Sequence, residues 1–319
     1  MIIKNLSEVK KEKILITGGA GFIGLNLVHS LMKNNEIVVI DDLSFGYKQN
    51  IPEKVMFIEK DILEITPADI TNYNPTIIIH CAASLGVENV SLNPASVIDI
   101  NYHGTRKLLE SIENYSLKFF IYASTSEIYG ESPKIGSKED GIVSPQTPYS
   151  SSKLLAEWDV KLSCERRNLD FVIVRFFNVF GQFQDNRFVI PKFFENAKRN
   201  LDIEVVDDGT QIRTFVHVND VVKIIFTLIN KPSNYGILNI GSPYLISILD
   251  LAKLIKNISN SESNIIFKPG QMMNRDKNYE TRYRKPNLTK LLKIVGPMDF
   301  INIAEGLENL FHNHAIEDN

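Results

Sequence analysis

The chain contains 319 residues, of which 44% are hydrophobic and 23% are charged. This composition is typical of globular proteins and excludes a disordered chain, and the length predicts two domains, or one domain with an additional lobe. The 35 Lys and Arg residues nearly balance the 38 Asp and Glu residues, giving a formal net charge of -3. Because the basic residues form no long stripe that could neutralise a run of phosphates, nucleic acid is not an expected partner.

Cysteine content and hydropathy argue against a disulfide-rich, zinc-binding, secreted or membrane-spanning protein. Cys81 and Cys164 are the only cysteines in the sequence, too few for a disulfide scaffold or a four-ligand zinc site. Residues 1–13 lack the basic and then apolar order of a signal peptide, and no run of about 18 apolar residues could span a bilayer. The sequence therefore predicts a cytoplasmic protein with no metal site and no membrane contact.

From Lys13 onward, short apolar runs alternate with longer amphipathic stretches. Runs rich in Ile, Val and Phe are typical of strands buried on both faces, and they occupy residues 14–16, 36–40, 55–58, 76–79, 118–122 and 171–174. Helix-like segments lie between them at 25–33, 95–114 and 148–167. This alternation predicts a doubly wound, Rossmann-like parallel α/β sheet, whose ligands lie beyond the carboxyl ends of the strands.

The second half of the chain is less regular. It shows helix patterns at 191–199, 220–229 and 248–257, a strand pattern at 203–206, and a polar segment at 268–287 that is typical of a ligand-contacting loop. We predict a Rossmann domain formed by residues 1–178 and about 214–242. The remaining residues, about 179–213 and 243–319, are predicted to form a smaller C-terminal α/β lobe that binds the substrate.

A glycine-rich turn and a carboxylate predict a dinucleotide site. Gly18, Gly21 and Gly24 follow the first strand and open a helix, a spacing close to the dinucleotide-binding fingerprint. The free N–H groups at such a helix start favour a diphosphate. Asp41 ends the second strand, where it can bind both adenosine ribose hydroxyls and repel a 2′-phosphate, so NAD is favoured over NADP. Strand alternation turns Asp42 the other way.

A tyrosine and a lysine lie four residues apart where a helix is predicted to begin. Thr147 is the expected cap and Pro148 the first helical residue, so Tyr149 and Lys153 share one helical face. We expect the ammonium and the helix N-terminus to lower the pKa of the phenol from about 10 toward the range of a useful base. Considered alone, such a pair can also be a solvated helix face.

Hydroxyl side chains follow the strand at 118–122. Ser124 and Thr125 lie at its carboxyl end, in the expected crevice, where Thr125 can share a proton with the atom that Tyr149 attacks. Helix or turn capping by these hydroxyls is the alternative. Glu127 lies two residues after Thr125 and so returns to the same side of an extended chain, where a carboxylate can remove a proton next to a carbonyl.

Together these motifs resemble the extended short-chain dehydrogenase/reductase family, and within it the NAD-dependent nucleotide-sugar epimerases and dehydratases. The motifs cover nearly the whole chain and lie at 18–24, 41, 61–62, 80–83, 101, 124–130, 149 with 153, 175–181, 209–220, 239–242 and 282–287. The resemblance implies an enzyme with NAD in the Rossmann domain and a nucleotide-diphosphate sugar in the lobe. It also implies a homodimer, in which segments 95–114 and 148–167 of two copies form a four-helix bundle.

The resemblance also implies roles for individual residues. The implied catalytic residues are Thr125, Glu127, Tyr149 and Lys153. The implied NAD ligands are Gly18, Gly21, Phe22, Ile23, Gly24, Asp41, Asp61, Ile62, Ala82, Ala83, Asn101, Ser124, Tyr149 and Lys153, with Asp61 and Ile62 beside the adenine. The implied substrate ligands are Thr125, Asn178, Arg213, Arg275 and Arg284, because the fork of donors on arginine matches phosphate oxygens.

Several reactions share the same first step, in which Tyr149 takes the C4 hydroxyl proton while C4 gives a hydride to NAD. We predict a 4-epimerase. A 4,6-dehydratase with Glu127 as the C5 base is the first alternative, followed by a UDP-glucuronate decarboxylase and by an NAD-binding protein without catalytic activity. Thr125, Ser126 and Glu127 resemble the triplet of some dehydratases and decarboxylases, but the glycine turn and the Tyr149 segment depart from those patterns.

Overall fold

The computed structural model describes residues 11–86, 90, 92–270 and 281–317. Its strands are β1 (Lys13–Thr17), β2 (Glu36–Asp41), β3 (Met56–Glu59), β4 (Ile77–His80), β5 (Phe119–Thr125), β6 (Phe171–Phe176), β7 (Val179–Phe180), β8 (Ile203–Val206), β9 (Ile212–Thr214), β10 (Val216–His217), β11 (Gly236–Ile240), β12 (Leu245–Ser247) and β13 (Ile265–Lys268).

The described residues form ten α-helices, which include all the predicted helical segments and three further helices that the sequence did not predict. They are α1 (Phe22–Leu31), α2 (Pro67–Tyr73), α3 (Pro94–Ile98), α4 (Gly104–Ser111), α5 (Pro148–Arg166), α6 (Val189–Lys198), α7 (Val218–Asn230), α8 (Ile248–Ile258), α9 (Thr289–Val295) and α10 (Ile303–Glu317). A π-helical turn, Asp99–His103, joins α3 to α4. The predicted start of α5 is confirmed, because the Thr147 hydroxyl accepts the Ser150 N–H at 3.1 Å and Pro148 is the first helical residue.

A seven-stranded parallel sheet forms the centre of the fold, in the order β11-β6-β5-β4-β1-β2-β3. The predicted Rossmann-like α/β architecture is therefore confirmed. The strand at β11 was not predicted, although it pairs with β6 along its length. Because β1 lies between β4 and β2, its carboxyl end is the point where the strand order reverses, and ligands of doubly wound sheets bind at that point.

Two apolar layers cover the sheet. On one face Ile14 and Ile16 of β1 pack in a cluster with Val221 and Ile225 of α7. On the other face Leu15 belongs to a cluster that includes residues of α4 and α5. The alternation of β1 side chains between the two clusters explains why its sequence is continuously apolar, since each face is buried.

A separate apolar cluster marks the C-terminal lobe. It contains Phe193 of α6, Val205 of β8, Leu251 of α8 and Leu307 of α10. Leu291 of α9 packs instead with the sheet cluster, although the sequence assigns its segment to the lobe. The proposed domain limits themselves stay a prediction. Within the described residues, no helix is both long and apolar enough to cross a membrane.

Candidate active site

The glycine turn after β1 is shaped by close backbone contacts. Gly18 has φ +69°, and a β-carbon there would lie 2.5 Å from the backbone nitrogen of Ala82. The turn therefore packs directly on the residues that follow β4, and only glycine fits. No described side chain caps α1 at Gly21, so the first N–H groups of the helix, at Phe22 and Ile23, are available to an anion. Gly24 packs on the Gly18 carbonyl.

Asp41 is tied to the glycine turn. Its Oδ2 accepts the Ala20 N–H at 2.9 Å and its Oδ1 accepts the Leu43 N–H at 2.9 Å. Burial raises the pKa of this carboxyl, and the nearby Asp42 adds to the rise, whereas the backbone hydrogen bonds oppose it. Asp42 itself is exposed, in the orientation that strand alternation predicted. Asp41 thus presents a fixed acceptor beside the helix start.

The residues after β3 and β4 surround the same crevice. Asp61 caps a short 3-10 turn by accepting the Leu63 N–H, and Ile62 is buried against Gly104. Ala82 and Ala83 are half-buried, and Ala82 lies next to Gly18. Their roles toward a cofactor stay predictions.

Asn101 holds the protein backbone. Its Oδ1 accepts the Ser84 N–H at 2.8 Å, and its Nδ2 donates to the Ser84 carbonyl at 2.9 Å and to the Ser152 hydroxyl at 3.3 Å. The side chain is completely buried. We therefore describe Asn101 as a residue that fixes the loop after β4 against α5, and its predicted direct contact with NAD stays a prediction.

Tyr149 and Thr125 are brought together at the carboxyl end of β5. Burial raises the pKa of the Tyr149 phenol, and the Glu127 carboxylate raises it further, while a hydrogen bond with Thr125 and the charge of Arg284 act in the opposite direction. The expectation that Lys153 lowers this pKa in the protein alone was wrong, because desolvation and Glu127 outweigh every nearby cation. The phenol therefore keeps its proton at neutral pH in the protein alone.

Lys153 is 2% exposed. Its Nζ lies 4.5 Å from the centroid of the Tyr122 ring, and among the described residues no acceptor takes a hydrogen bond from it. Burial lowers the pKa of Lys153 to about 8, while the Cys81 thiol and the Glu157 carboxylate oppose the shift. A buried ammonium without an acceptor is costly, so the site is prepared for a partner with hydroxyl or anionic oxygens.

Glu127 and Arg284 form the substrate-facing edge of the crevice. Glu127 lies in the 3-10 turn Ser126–Tyr129, and its Oε1 is 3.8 Å from Nη1 of Arg284. Arg284 donates from Nη2 to the Thr281 hydroxyl at 3.0 Å, while its buried Nε has no partner in the described residues. The pair places a carboxylate and a guanidinium near the Tyr149 hydroxyl.

The remaining predicted substrate residues differ in burial and in the hydrogen bonds that they already form within the protein. Asn178 is half-buried, and its backbone carbonyl accepts the Val216 N–H at 2.9 Å. Arg213 is buried and donates to the carbonyls of Ile212 and Thr281, at 2.9 and 2.7 Å. Arg275 lies outside the described residues.

Two groups near the site were not predicted. Ser124 donates its hydroxyl to Glu157 at 2.5 Å, and Glu157 forms a buried ion pair with Arg175; the predicted contact of Ser124 with NAD stays a prediction. Arg187 lies 3.9 Å from the centroid of the Phe45 ring, and a β-carbon on Gly86 would lie 3.8 Å from its Cδ. Phe45 follows β2 and Gly86 follows β4, so Arg187 reaches across the end of β1. For the ion pair of Glu157 with Arg175, the signal in the sequence was Arg175 itself, a charged residue inside the otherwise apolar strand β6.

A family model described as "NAD dependent epimerase/dehydratase family" matches residues 14–241. A dTDP-D-glucose 4,6-dehydratase of Dictyostelium discoideum is 33% identical over 288 residues, which are 81% of this chain and 64% of the relative. A UDP-N-acetyl-alpha-D-glucosaminuronate decarboxylase of Bacillus cytotoxicus is 32% identical over 310 residues, which are 93% of this chain and 96% of the relative.

A solved structure supports the same grouping. The UDP-glucose 4-epimerase of Thermotoga maritima, solved with UDP-glucose, superposes with a TM-score of 0.89 at 28% identity and covers 96% of this chain and 100% of its own. Proteins named for epimerisation, dehydration and decarboxylation of nucleotide sugars are thus all similar to this chain.

The described residues fit NAD, the cofactor of this family. The uncapped start of α1 suits a diphosphate, and Asp41 offers an acceptor to ribose hydroxyls. In the part of the chain that the structure describes, the Lys153 ammonium has no acceptor, and a second ribose can supply one. The family model is named for NAD-dependent enzymes, and the relatives are named for reactions of nucleotide sugars. The chain is an enzyme of the NAD-dependent epimerase/dehydratase family.

Proposed function

We propose that the protein is a nucleotide-sugar 4-epimerase. NAD, when bound, accepts a hydride from C4 and returns it. Tyr149 removes the C4 hydroxyl proton, Thr125 donates a hydrogen bond to the same oxygen, and the Lys153 ammonium stabilises the resulting phenolate. The observations that support this proposal are the hydrogen bond between Tyr149 and Thr125 and the buried Lys153 four residues further along α5, which has no hydrogen-bond acceptor among the described residues.

We further propose how the ligands divide between the two parts of the protein. The glycine turn, Asp41 and Lys153 hold NAD in the Rossmann domain, made of residues 1–178 and about 214–242. Asn178, Arg213 and Arg284 hold the sugar diphosphate against the lobe, with Arg275 assisting. Guanidinium groups suit this role because their donors match phosphate oxygens.

A dehydratase or decarboxylase is the second candidate, and Glu127 favours it. Its carboxylate raises the pKa of Tyr149 and lies 3.8 Å from Arg284, so it faces the reacting region. In a dehydratase, the 4-keto group makes the C5 proton acidic so that an adjacent carboxylate can remove it, whereas in a decarboxylase the bond from C5 to the carboxyl carbon breaks and CO2 leaves. The similarity to a 4,6-dehydratase and to a decarboxylase supports the same alternative.

Substitution of Glu127 by glutamine separates the two candidates. For an epimerase we expect turnover within about threefold of the unchanged protein, because no C5 proton is removed. The acidic limb of the pH profile should move to lower pH, because loss of the carboxylate lowers the pKa of Tyr149. Steady-state turnover and the pH profile are measured beside Glu110→Gln, an exposed carboxylate on α4. Loss of product with accumulation of reduced NAD would contradict epimerisation and identify a dehydratase or decarboxylase.

Product mass tests the proposed reaction directly. The purified protein is incubated with UDP-, GDP-, dTDP- and CDP-sugars, and the products are analysed by mass spectrometry and proton NMR. We expect one sugar to give a C4 epimer of unchanged mass. Loss of water would replace the proposal with a dehydratase, and loss of CO2 with a decarboxylase. No conversion of any sugar would contradict all three.

The outer face of α5 supports a homodimer. Leu155, Trp158 and Leu162 are 51%, 56% and 58% exposed and form a stripe, while Leu154 is half-buried. This stripe therefore does not cover the sheet, which is contacted by Ala156 and Val160 on the inner face of the helix. We propose that two copies pair along this face and the neighbouring α3 and α4, as a four-helix bundle.

Replacing Trp158 by glutamate is expected to convert the dimer to a monomer. A buried, unpaired carboxylate at the centre of an apolar interface costs several kcal/mol of association free energy. Light scattering coupled to size exclusion measures the mass, with the exposed Tyr47→Glu as control. A wild-type protein that is monomeric, or a Trp158→Glu variant that remains a dimer, would refute this interface.

A further inference from the structure

Glu157 is a buried carboxylate one helical turn after Lys153 on α5. It is 3% exposed, as is its partner Arg175. Its Oε1 accepts the Ser124 hydroxyl at 2.5 Å and the Arg175 Nε at 3.0 Å, and its Oε2 accepts Arg175 Nη2 at 2.7 Å. Both carboxylate oxygens are therefore saturated by groups of the protein, as a buried charge requires.

Arg175 fixes this carboxylate to the sheet. Ser124 and Arg175 are directly paired residues of the neighbouring strands β5 and β6. The guanidinium also lies 4.8 Å from the centroid of the Tyr129 ring and donates from Nη1 to the Glu139 carbonyl at 3.3 Å. Glu157 consequently joins the ends of two strands to one face of α5.

The joined elements are those that carry the reacting groups. Thr125 follows Ser124 at the end of β5, and Tyr149 and Lys153 belong to α5. A change in the contact between Ser124 and Glu157 would therefore change the position of Thr125 relative to Tyr149. Because displacements of about 1 Å can cost a hundredfold in rate, such a joint affects catalysis without contacting substrate.

Glu157 is also the carboxylate that acts on the Lys153 ammonium from its own helix. The other groups that face this ammonium are the Cys81 thiol after β4, the Tyr122 ring on β5 and His80 on β4. His80 is neutral, since burial and the charge of Lys153 lower its pKa to about 3. Glu157 therefore supplies the carboxylate charge that opposes deprotonation of Lys153.

We propose that Glu157 is a positioning residue for the C4 oxidation: clamped between Ser124 and Arg175, it sets the spacing of Thr125 and Tyr149, and its charge keeps Lys153 protonated. The expected effect of Glu157 on the rate of C4 oxidation rests on the proposed function. The expected effect of the Glu157 charge on the pKa of Lys153 does not depend on any substrate.

The test replaces Glu157 by glutamine, which keeps the size and the hydrogen bond to Ser124 but removes the charge. The first readout is the titration of Lys153 in the protein without substrate. NMR of 13Cε-labelled lysine monitors this titration, and the Lys153 resonance is assigned by its absence from Lys153→Met. We expect the pKa of Lys153 to fall by about one unit. The control is Glu165→Gln, an exposed carboxylate two turns further along α5.

The second readout is the pH profile of sugar oxidation. We expect Glu157→Gln to lower the rate at neutral pH about tenfold and to shift the alkaline limb to lower pH by the same unit. A rate reduced equally at all pH values, with an unshifted Lys153, would mean a purely structural role and overturn the inference. If the wild-type protein is inactive toward sugars but the pKa of Lys153 is lower in Glu157→Gln, only the proposed function is overturned.

A second variant keeps the test decisive if Glu157→Gln does not fold. Replacement of the whole ion pair, as Glu157→Leu with Arg175→Met, leaves no uncompensated buried charge and is tolerated in other proteins. A downward shift of the Lys153 titration is again expected, smaller than in Glu157→Gln because the Arg175 cation is removed together with the carboxylate. An unchanged titration in this folded double variant would overturn the inference.

Discussion

Replacing Tyr149 by phenylalanine is expected to lower the rate of sugar oxidation about 100-fold to 10,000-fold, which is the usual contribution of a positioned general base. The change removes one oxygen from a site in which the phenol meets Thr125. The ring and its packing remain, so the fold and NAD binding should be preserved. Single-turnover formation of reduced NAD is the measurement, because it isolates the hydride step from product release.

The pH dependence of the unchanged enzyme belongs to the same prediction. Burial and Glu127 raise the pKa of Tyr149 in the protein alone, and we expect the positive charge of a bound nicotinamide to lower it toward neutral pH. The acidic limb of the oxidation rate should therefore depend on the bound cofactor, and it should be missing from Tyr149→Phe. Tyr47→Phe, at an exposed tyrosine, is the control. Retention of most activity by Tyr149→Phe would refute its role as base.

Lys153→Met is expected to stabilise the protein while it weakens the active site. Methionine fills a similar volume without a buried ammonium, so the free energy of unfolding of the protein without NAD should rise by about 2 kcal/mol at pH 7. The affinity for NAD should fall about tenfold to a hundredfold, because hydrogen bonds from a charged donor to the ribose are lost. Chemical denaturation and calorimetric titration with NAD measure the two effects.

The stability difference has a predicted pH dependence. The pKa of Lys153 is lowered by burial to about 8, from 10.5. Below pH 8 both the folded and unfolded states are protonated, and the folded state bears the full cost of burying the charge. Between pH 8 and 10.5 the unfolded state binds more protons than the folded state, so stability rises with pH.

Lys153→Met should therefore lose its stability advantage across that range. The raised pKa values of Cys164 and Tyr129, each about 12, lower stability at alkaline pH in both proteins and cancel in the difference. An advantage that is independent of pH, or NAD affinity equal to that of the unchanged protein, would show that Lys153 is not a buried cation that awaits the cofactor.

The central sheet was predictable because its strands are buried on both faces. β1 and β4 each contain three consecutive Ile or Leu residues, which is typical of a strand buried on both faces. β11 was missed because Gly236 and Asn239 interrupt its apolar pattern, although Asn239 is fully buried and accepts the Tyr129 hydroxyl at 2.7 Å. The π-helical turn at Asp99–His103 leaves no mark in the helical periodicity, so a continuous helix was expected.

The site was predictable where chemistry depends on local spacing. The glycine turn and the pair Tyr149 and Lys153 lie within single loops or helices, so the sequence brings their atoms together. Glu157 and Arg175 meet only after β6 pairs with β5, and their union required the tertiary structure. The balance of burial and charge at Tyr149 also depends on residues distant in sequence, which is why its pKa direction was predicted wrongly.

The proposed reaction depends on transfer of hydride from C4 to NAD held by this protein. The sugar identified by product mass is prepared with deuterium at C4 and mixed with the NAD-loaded enzyme, without added reductant, while the near-ultraviolet absorbance of reduced NAD is followed. We predict a transient rise in that absorbance, slowed by the deuterium, and an epimer that retains deuterium at C4. Conversion with no isotope effect, no reduced NAD and deuterium lost to water would contradict the account.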